Sequence, residues 1–418
     1  MTELPRRIGL AGAILLSFNG AVGAGIFALP GTLLADFGTF SPWLFPLVAL
    51  GSMLIVLPFA RSVAAFPESG GPATYGRVFG PLAGFELGWI YYISRAAAFA
   101  ANANVLTAYL ARWWTGADTG ALRALLLIAL IALLTLVNVA GVRRSLSVLG
   151  GLTVLKALPL LLITITAIVL SFPPPAAVPP PLNALEAGVL VVFYAFIGFE
   201  NLTVPAGETR DPERALPRAI FVSMTAMTLL YFLVQLAFVS ALPAGGADEK
   251  APLIDLGGWV AGPTGIAIIT FTVIASLAGN LHGNLAATPR LTYAMGERRE
   301  LPAWFASVHP RFETPANSIA FMGLLAAALA LSGSFVFLAA VSVLSRLFVY
   351  AATIAALPYA PGRPRLKAAH YLLGAIGIAV CTWAAAQADA QAWLTLGALA
   401  GAGLLLYAAA RVVRITRS

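Results

Sequence analysis

The chain has 418 residues, of which 60% are hydrophobic and only 10% are charged, against about 25% charged residues in an ordinary soluble protein. So few charges cannot cover a water-facing surface, which excludes a soluble protein and predicts an integral membrane protein. We assign the net charge of +8 to loops that set membrane topology, not to a nucleic-acid surface.

A membrane-spanning helix needs about 20 predominantly apolar residues. The chain contains candidates that we number as spans one to twelve in chain order: 8–37, 42–66, 81–112, 121–141, 146–171, 184–207, 215–241, 259–295, 316–332, 335–357, 367–386 and 391–413. The first, third and eighth exceed a perpendicular span, so tilt, a break or an end outside the bilayer is expected there. The sequence therefore predicts an all-α integral membrane protein with twelve transmembrane helices.

The positions of the basic residues test this span count. With twelve spans, 19 of the 25 Lys and Arg residues fall in loops and ends on the side of the amino terminus. Three fall on the opposite side, namely Arg112, Arg123 and Lys250. The remaining three lie inside spans, namely Arg95, Lys156 and Arg346. Because cytoplasmic loops are rich in Lys and Arg, both termini are predicted to be cytoplasmic.

The connections between spans are short, and the longest external ones are 171–183 and 242–258. The first is rich in proline, which stiffens a linker. We expect it to separate a first unit of spans one to five, residues 1–172, from a second unit of spans six to ten, residues 183–358. Residues 366–418 then hold spans eleven and twelve and a cytoplasmic tail.

Glycines interrupt the middle of span one. Gly20, Gly23 and Gly25 lie within six positions, and each glycine inside a helix costs about 1 kcal/mol relative to alanine. Such a cluster either permits close helix packing or marks a break whose unwound backbone lines a cavity. Span six carries Gly198 and Glu200 at mid-depth and enters the bilayer from the opposite side. Two interrupted spans, five apart and opposite in direction, are typical of inverted repeats with a site at their interface.

Broken helices at these positions would bring complementary ends together. The second half of span one would begin near Gly25-Ile26, where free N–H groups and the positive end of the helix dipole suit a carboxylate. The first half of span six would end near Phe196-Ile197, whose free carbonyls suit an ammonium group. Together they match the zwitterionic head of an α-amino acid, which the rings of Tyr194 and Phe199 could cover as gates. The alternative is two kinked helices packed through glycine, with the aromatic rings as filling.

Four charged residues lie inside spans, where a charge at the bilayer centre costs about 2.5–3.5 kcal/mol and usually faces the bundle interior. Lys156 in span five either snorkels to the surface, titrates, or acts as a fixed cation in place of a bound sodium ion. Glu200 is either a proton-coupling carboxylate or a structural partner of Arg95 or Arg346. Arg95 in span three either reaches the substrate or pairs, and pairing is favoured.

Further polar residues carry weaker signals. Asn280, His282 and Asn284 in span eight either hydrogen-bond across helices, which is favoured, or line the cavity. The three histidines, His282, His309 and His370, show no metal-ligand spacing, and no nucleophile elbow, Walker loop or zinc motif occurs. We therefore expect no enzyme activity, no metal and no cofactor.

Four places in the chain resemble motifs of the amino acid–polyamine–organocation (APC) superfamily. They read GAVGAGIF at 20–27, FPESGGPATY at 66–75, FIGFE at 196–200 followed by GETRDPERALPRAI at 207–220, and PRLTYAM at 289–295 with LP at 301–302. Together with the twelve spans, they extend over the whole chain in the expected order. The set is highly specific, although no single motif is.

The resemblance implies the LeuT-type fold, with five plus five inverted repeats and broken helices one and six. It implies a secondary amino acid transporter with carboxylate contacts at Gly23, Ala24 and Gly25. Amine contacts are implied at Ala21, Tyr194 and Ile197, with a gate at Tyr194. With the helix-end argument, the residues expected at the substrate are Ala21, Gly23, Ala24, Gly25, Ile26, Tyr194, Ile197, Gly198 and Phe199.

The resemblance also concerns two charged residues, and at one position the chain departs from the pattern of the superfamily. Lys156 looks like the span-five lysine of sodium-independent members, which bridges spans one and eight. Ala24 stands where many relatives have serine, so a hydroxyl contact to the carboxylate would be missing. Arg95 has no assigned family role, which leaves open a substrate with a polar or acidic side chain.

These observations predict a secondary-active amino acid transporter in a bacterial-type plasma membrane. It would work by alternating access and without sodium, by exchange, facilitated movement or proton coupling. Its expected partners are the amino acid, the lipid bilayer and, if coupled, protons, with no nucleic acid and no evident partner protein. The alternatives are a proton-coupled carrier of an amine or another organic cation, and a nutrient sensor of the same fold that no longer transports.

Overall fold

A computed structural model of the chain describes residues 9–66, 71–114, 116–141, 146–200, 209–242, 250–361 and 366–415. Over these residues the chain is built from α-helices joined by short turns and loops. In chain order they are α1 Leu10–Ala21, α2 Gly25–Phe37, α3 Ser41–Ala64, α4 Pro72–Gly76, α5 Pro81–Ala111, α6 Gly120–Val139, α7 Leu146–Leu170, α8 Leu182–Phe196, α9 Pro212–Ala241, α10 Pro252–Ala287, α11 Pro289–Glu297, α12 Ala316–Ser332, α13 Phe335–Ala356, α14 Ala368–Ala386 and α15 Ala390–Ile415.

Many of these helices are apolar enough to cross a bilayer. Within the described residues, seven helical segments have both the length and the hydropathy that a membrane span needs: Gly25–Ala64, Gly120–Val139, Arg214–Ala241, Pro252–Glu297, Phe335–Tyr359, Ala368–Ala386 and Ala390–Val412. Shorter apolar helices lie at Leu10–Ala21, Leu155–Leu170, Ala184–Phe196 and Ala316–Ser332. The predicted all-α multi-pass membrane protein is therefore confirmed at this level.

The predicted interruption of span one is present. Helix α1 ends at Ala21 and α2 begins at Gly25, so residues 22–24 are not helical. In span six, α8 ends at Phe196, Ile197 is extended and Gly198 has a φ of +114°. Residues 201–208, the rest of that predicted span, lie outside the described residues.

The predicted start of span eight at residue 259 is wrong, whereas its predicted end at residue 295 lies close to the end of the apolar helical segment Pro252–Glu297. The helical segment begins at Pro252 and is interrupted at Ala261 and Gly262, where Gly262 has a φ of +55°. It resumes and ends at Ala287, and α11 starts at Pro289, whose nitrogen has no hydrogen to donate. The other spans that lie wholly in described residues end within three residues of their predicted bounds.

Helix α5 lies at the centre of the packed helices. It packs against α4, α10, α12 and α13, and most of its side chains are buried. Helix α9 packs against α1 and α3, and α8 packs against α2 and α13. This arrangement brings the interruptions of spans one and six beside the second half of α5, at Asn102.

Candidate functional site

The interruption between α1 and α2 exposes backbone groups inside the protein. The N–H of Gly23 closes a tight turn onto the carbonyl of Ala21 at 2.8 Å. The α-helical pattern resumes where the N–H of Ala28 donates to the carbonyl of Ala24 at 2.9 Å. The N–H groups of Gly25 and Ile26 lie at the start of α2, where no carbonyl four residues earlier belongs to the same helix. Helix geometry therefore gives them no acceptor within α2. They are donors at the positive end of the α2 dipole.

The interruptions of spans one and six touch each other. A Cβ atom added to Gly198 would lie 2.6 Å from the carbonyl carbon of Gly20 and 2.7 Å from the Cα of Ala21. One added to Gly25 would lie 2.9 Å from the Cα of Ala195. Because these neighbours are backbone atoms, only glycine permits the approach. The glycines therefore permit close helix packing and also lie at the breaks, so the two interpretations of the glycine cluster are compatible.

Asn102, in the second half of α5, joins the elements of the site, and no sequence motif predicted it. Its Oδ1 accepts hydrogen bonds from the Ala24 N–H at 3.1 Å and from the Tyr194 hydroxyl at 3.0 Å. Its Nδ2 donates to Oδ1 of Asn280 on α10 at 2.7 Å. The signal that could have revealed it is a pair of amides, Asn102 and Asn104, within a long apolar span.

The two aromatic residues predicted as gates lie in different surroundings. The ring of Tyr194 meets Phe335 edge-on, with 5.4 Å between centroids. Phe335 in turn lines a cavity of about 750 Å³, whose other walls include Thr32, Asn104, Asp118 and Lys250. Tyr194 therefore connects Asn102 with the wall of this cavity.

Phe199 belongs to a buried aromatic cluster. Its ring centroid lies 5.6 Å from that of Phe59 and 5.2 Å from that of Tyr350. Neither partner is among the residues that line the cavity. Phe199 thus packs between α3 and α13, whereas Tyr194 faces the cavity wall.

Lys156 lies at the interruption of span one. Its side chain is buried, with 5% of the residue exposed, and its Nζ donates to the carbonyl of Val22 at 3.3 Å. The ammonium group therefore reaches the carboxyl-terminal end of α1, where a positive charge is favourable, and does not snorkel to the surface. The resemblance implies that this lysine bridges spans one and eight, and the bond to Val22 is the expected contact with span one.

Glu200 pairs with Arg346. Its Oε1 accepts from Arg346 Nε at 2.7 Å, and its Oε2 accepts from the Tyr350 hydroxyl at 2.9 Å and the Gly198 N–H at 2.8 Å. Glu200 and Arg346 are 1% and 3% exposed. Arg346 also donates to the carbonyl of Ser94 at 3.2 Å. An ionised carboxylate only accepts hydrogen bonds, which suits this set of donors.

Arg95 contacts the end of α10. Its Nε donates to the Thr288 hydroxyl at 3.1 Å, its carbonyl accepts from the Asn284 amide at 3.1 Å, and its guanidinium lies 6.0 Å from the Tyr91 ring centroid. Arg95 is seven residues before Asn102, which is about 10 Å along a helix. The structure thus separates it along α5 from the group formed around Asn102.

The other polar residues of span eight bond across helices. Asn280 accepts from Asn102, the Asn284 amide donates to the Arg95 carbonyl, and the His282 ring lies 3.0 Å from the amide of Asn138 on α6. These contacts tie α10 to α5 and α6, as the favoured interpretation predicted.

The site therefore brings two kinds of backbone group close together. The start of α2 offers N–H donors with a positive dipole end, and the end of α8 offers carbonyl acceptors with a negative one. One end suits an anion and the other a cation. Among the residues that the structure describes, no cluster of potential metal ligands occurs.

Comparison with known proteins agrees with these features. A family model described as "Amino acid permease" matches residues 8–407. An uncharacterized transporter of Mycobacterium tuberculosis is 30% identical, over 98% of this chain and 92% of its own. The serine/threonine exchanger SteT of Bacillus subtilis is 27% identical, over 77% of this chain and 76% of its own. The D-serine/D-alanine/glycine transporter of Escherichia coli is 24% identical, over 84% and 80%. The chain therefore belongs to the amino acid permease family of the APC superfamily.

Proposed function

We propose that this protein is a secondary-active transporter that moves an amino acid across a bacterial inner membrane by alternating access. The observation that carries the proposal is the direct contact between the interruptions of spans one and six, at Gly198 against Gly20 and Ala21 and at Gly25 against Ala195. One amino acid head group has the charges that complement both helix ends. A ligand drives closure only if it binds the closed state more tightly than the open state. An amino acid that contacts both helix ends at once, as the closed state allows, binds that state more tightly.

In this proposal the substrate carboxylate accepts from backbone N–H groups at the interruption of span one and at the start of α2. They belong to Gly23, Ala24, Gly25 and Ile26. The ammonium group donates to Ala21, Ile197 and Tyr194, and Gly198 and Phe199 shape the interruption of span six. Asn102 and Asn280 lie close to Gly23, since a Cβ added there would be 3.4 Å from the Asn102 amide nitrogen and 3.6 Å from that of Asn280. Little room beside Gly23 favours a small neutral amino acid.

The names of two relatives agree with a small neutral substrate. One is a serine/threonine exchanger and the other a D-serine/D-alanine/glycine transporter. We extend this substrate class to the present chain as part of the proposal.

Twelve spans in a five-plus-five inverted repeat, with both termini cytoplasmic, complete the proposed architecture. The repeats would be residues 1–172 and 183–358, with spans eleven and twelve in 366–418. Two ion pairs support this symmetry. Arg77, between spans two and three, lies 2.5 Å from Glu300, between spans eight and nine. Lys250, between spans seven and eight, lies 2.7 Å from Asp118, between spans three and four. Moving five spans along the chain takes the loop of Arg77 to the loop of Lys250, and the loop of Asp118 to the loop of Glu300. Equivalent loops of the two repeats therefore carry charges of the same sign.

Uptake into proteoliposomes tests the function. Vesicles containing purified protein are preloaded with L-serine, L-alanine or nothing, and uptake of labelled L-serine is followed with and without sodium and a pH gradient. We expect sodium-independent uptake. Binding of L-serine without uptake would indicate a sensor, and failure to bind or move any small neutral amino acid would contradict the proposal.

Replacing Lys156 with alanine should reduce uptake by about tenfold or more. The Val22 carbonyl would lose a charged donor, and such hydrogen bonds contribute about 1.5–3 kcal/mol, where about 1.4 kcal/mol is a tenfold change. Initial uptake rates of labelled L-serine, per folded protein, give the measurement. Lys367→Ala is the control, because that lysine is exposed at the start of α14. Equal rates for Lys156→Ala and wild type would exclude a role for the ammonium group.

Replacing Asp118 with asparagine should lower thermal stability slightly near neutral pH. The hydrogen bond from Lys250 lowers the pKa of the Asp118 carboxyl below its usual value. The folded protein thus holds the ionised form better than the unfolded chain does. This stabilisation is present above the usual pKa of aspartate, about 3.9, and is lost as the pH falls through the lowered pKa. An exposed pair contributes about 0.2–1 kcal/mol.

The measurement is the apparent melting temperature of both proteins in detergent from neutral to acidic pH. The difference should shrink as Asp118 becomes protonated. Asp36→Asn is the control, because Asp36 is exposed at the end of α2. A difference that persists undiminished below the usual pKa would show that the effect does not come from the ion pair.

A further inference from the structure

The amide of Asn102 is held by three hydrogen bonds. Its oxygen accepts from the Ala24 N–H at 3.1 Å and from the Tyr194 hydroxyl at 3.0 Å, and its nitrogen donates to Asn280 at 2.7 Å. The residue is buried, with 3% of its surface exposed. The bonds connect α5 to the interruption of span one, to α8 and to α10, so one side chain joins four separate parts of the proposed transporter.

Two of these donors are also assigned to the substrate by the proposed function. The Ala24 N–H is proposed to donate to the carboxylate, and the Tyr194 hydroxyl oxygen is proposed to accept from the ammonium group. An amide oxygen that accepts from an N–H and an O–H group at about 3 Å has the surroundings of one carboxylate oxygen. The Ala24 N–H donates a single hydrogen, so the amide oxygen of Asn102 and a substrate carboxylate compete for it. All of the Asn102 bonds are intramolecular, so they can form without a substrate.

We propose that Asn102 takes the place of the substrate carboxylate when no amino acid is bound, and thereby lets the unloaded carrier close and return. This inference rests on the proposed function. A carrier that closes only around its substrate is restricted to exchange, because its unloaded form lacks the contacts that favour closure. The Asn102 oxygen supplies one such contact internally. The protein therefore carries out net transport as well as exchange.

The same competition predicts the sign of two affinity changes. A bound carboxylate must displace the Asn102 oxygen, which weakens substrate binding. Asn102→Ala should therefore bind L-serine about threefold to tenfold more tightly, while its unloaded form returns more slowly. Asn102→Asp would place a permanent carboxylate at the same donors, and it should bind L-serine at least tenfold more weakly. If Asn102 were instead a direct substrate contact, Asn102→Ala would weaken binding.

The test uses the full-length protein in liposomes, with labelled L-serine as the probe. Exchange is measured as efflux into external L-serine, and net transport as efflux into buffer without amino acid. For wild type we expect the two rates within about tenfold of each other. For Asn102→Ala we expect net efflux to fall at least tenfold relative to exchange, together with tighter equilibrium binding of L-serine. Asn104→Ala is the matched control, because Asn104 lies two residues away on α5 and bonds to Ala100, Arg123 and Ala330 instead of the interruptions of spans one and six.

The outcomes separate this inference from the proposed function. Wild-type protein that exchanges L-serine but shows no net efflux would overturn the role of Asn102, while leaving amino acid transport intact. So would an Asn102→Ala variant that binds L-serine more weakly and loses exchange and net efflux in parallel. The wild-type measurement decides the question even if the variant fails to fold. No movement or binding of any small neutral amino acid by wild type would overturn the proposed function itself, and this inference with it.

Discussion

Replacing Gly198 with alanine is expected to reduce the yield of folded, transport-competent protein to less than about a tenth of wild type. The backbone at Gly198 has a φ of +114°, a conformation open essentially to glycine, and strain of this kind costs on the order of 1–3 kcal/mol. The new Cβ would also lie 2.6 Å from the carbonyl carbon of Gly20 and 2.7 Å from the Cα of Ala21. Neither neighbour is a side chain that could rotate away, so α8 would have to move off the interruption of span one.

Two further variants serve as comparisons for Gly198→Ala. Gly51→Ala on α3 is the control, because an added Cβ there meets nothing within 4 Å and alanine favours a helix by about 1 kcal/mol. Gly23→Ala tests the site itself, since its Cβ would meet the Asn102 amide at an ordinary 3.4 Å. Yield is measured by size-exclusion chromatography in detergent, and transport by L-serine uptake. Near-normal yield and uptake for Gly198→Ala would show that the two interruptions do not need the contact.

Replacing Glu200 with glutamine is expected to destabilise the protein by about 3–5 kcal/mol, because it leaves the guanidinium of Arg346 buried without a counter-charge. Both residues are almost fully buried, and their atoms lie 2.7 Å apart. Burial makes this loss of stability large, since the exposed pair of Lys250 and Asp118 contributes only about 0.2–1 kcal/mol. The apparent melting temperature in detergent gives the measurement.

A double-mutant cycle separates pairing from proton coupling. Arg346→Gln should destabilise the protein similarly, and the Glu200→Gln/Arg346→Gln double variant should be more stable than the sum of the single effects predicts. We expect an interaction free energy of about 0.5–3 kcal/mol. The pH profile of L-serine uptake should keep its shape in Glu200→Gln. Additive single effects, with an altered pH profile, would instead identify Glu200 as the proton site.

Much of the fold follows from local sequence. The apolar segments predicted most helices of the described residues to within three residues of their ends, because hydropathy and helix length are properties of a contiguous stretch. Span eight is the exception. Its apolar residues continue on both sides of the interruption at Ala261 and Gly262, so hydropathy alone does not reveal the change of backbone direction there.

The candidate site was predicted in part. The glycines around Gly23 and Gly198 predicted interruptions in spans one and six, because glycine inside a helix is locally unfavourable. The sequence left the partner of Glu200 open between Arg95 and Arg346, since both lie inside spans. The structure pairs Glu200 with Arg346 on α13 and sets Arg95 against the end of α10.

What the sequence determined by itself is therefore the class of protein, most of the helices and the positions of the breaks in spans one and six. Each of these depends on residues near one another in the chain. Only the tertiary structure decided that Gly198 lies on Gly20 and Ala21, and that Asn102 joins Ala24, Tyr194 and Asn280. Such contacts depend on which faces of distant helices meet, and a buried hydrogen bond or ion pair forms only where packing brings its two partners together.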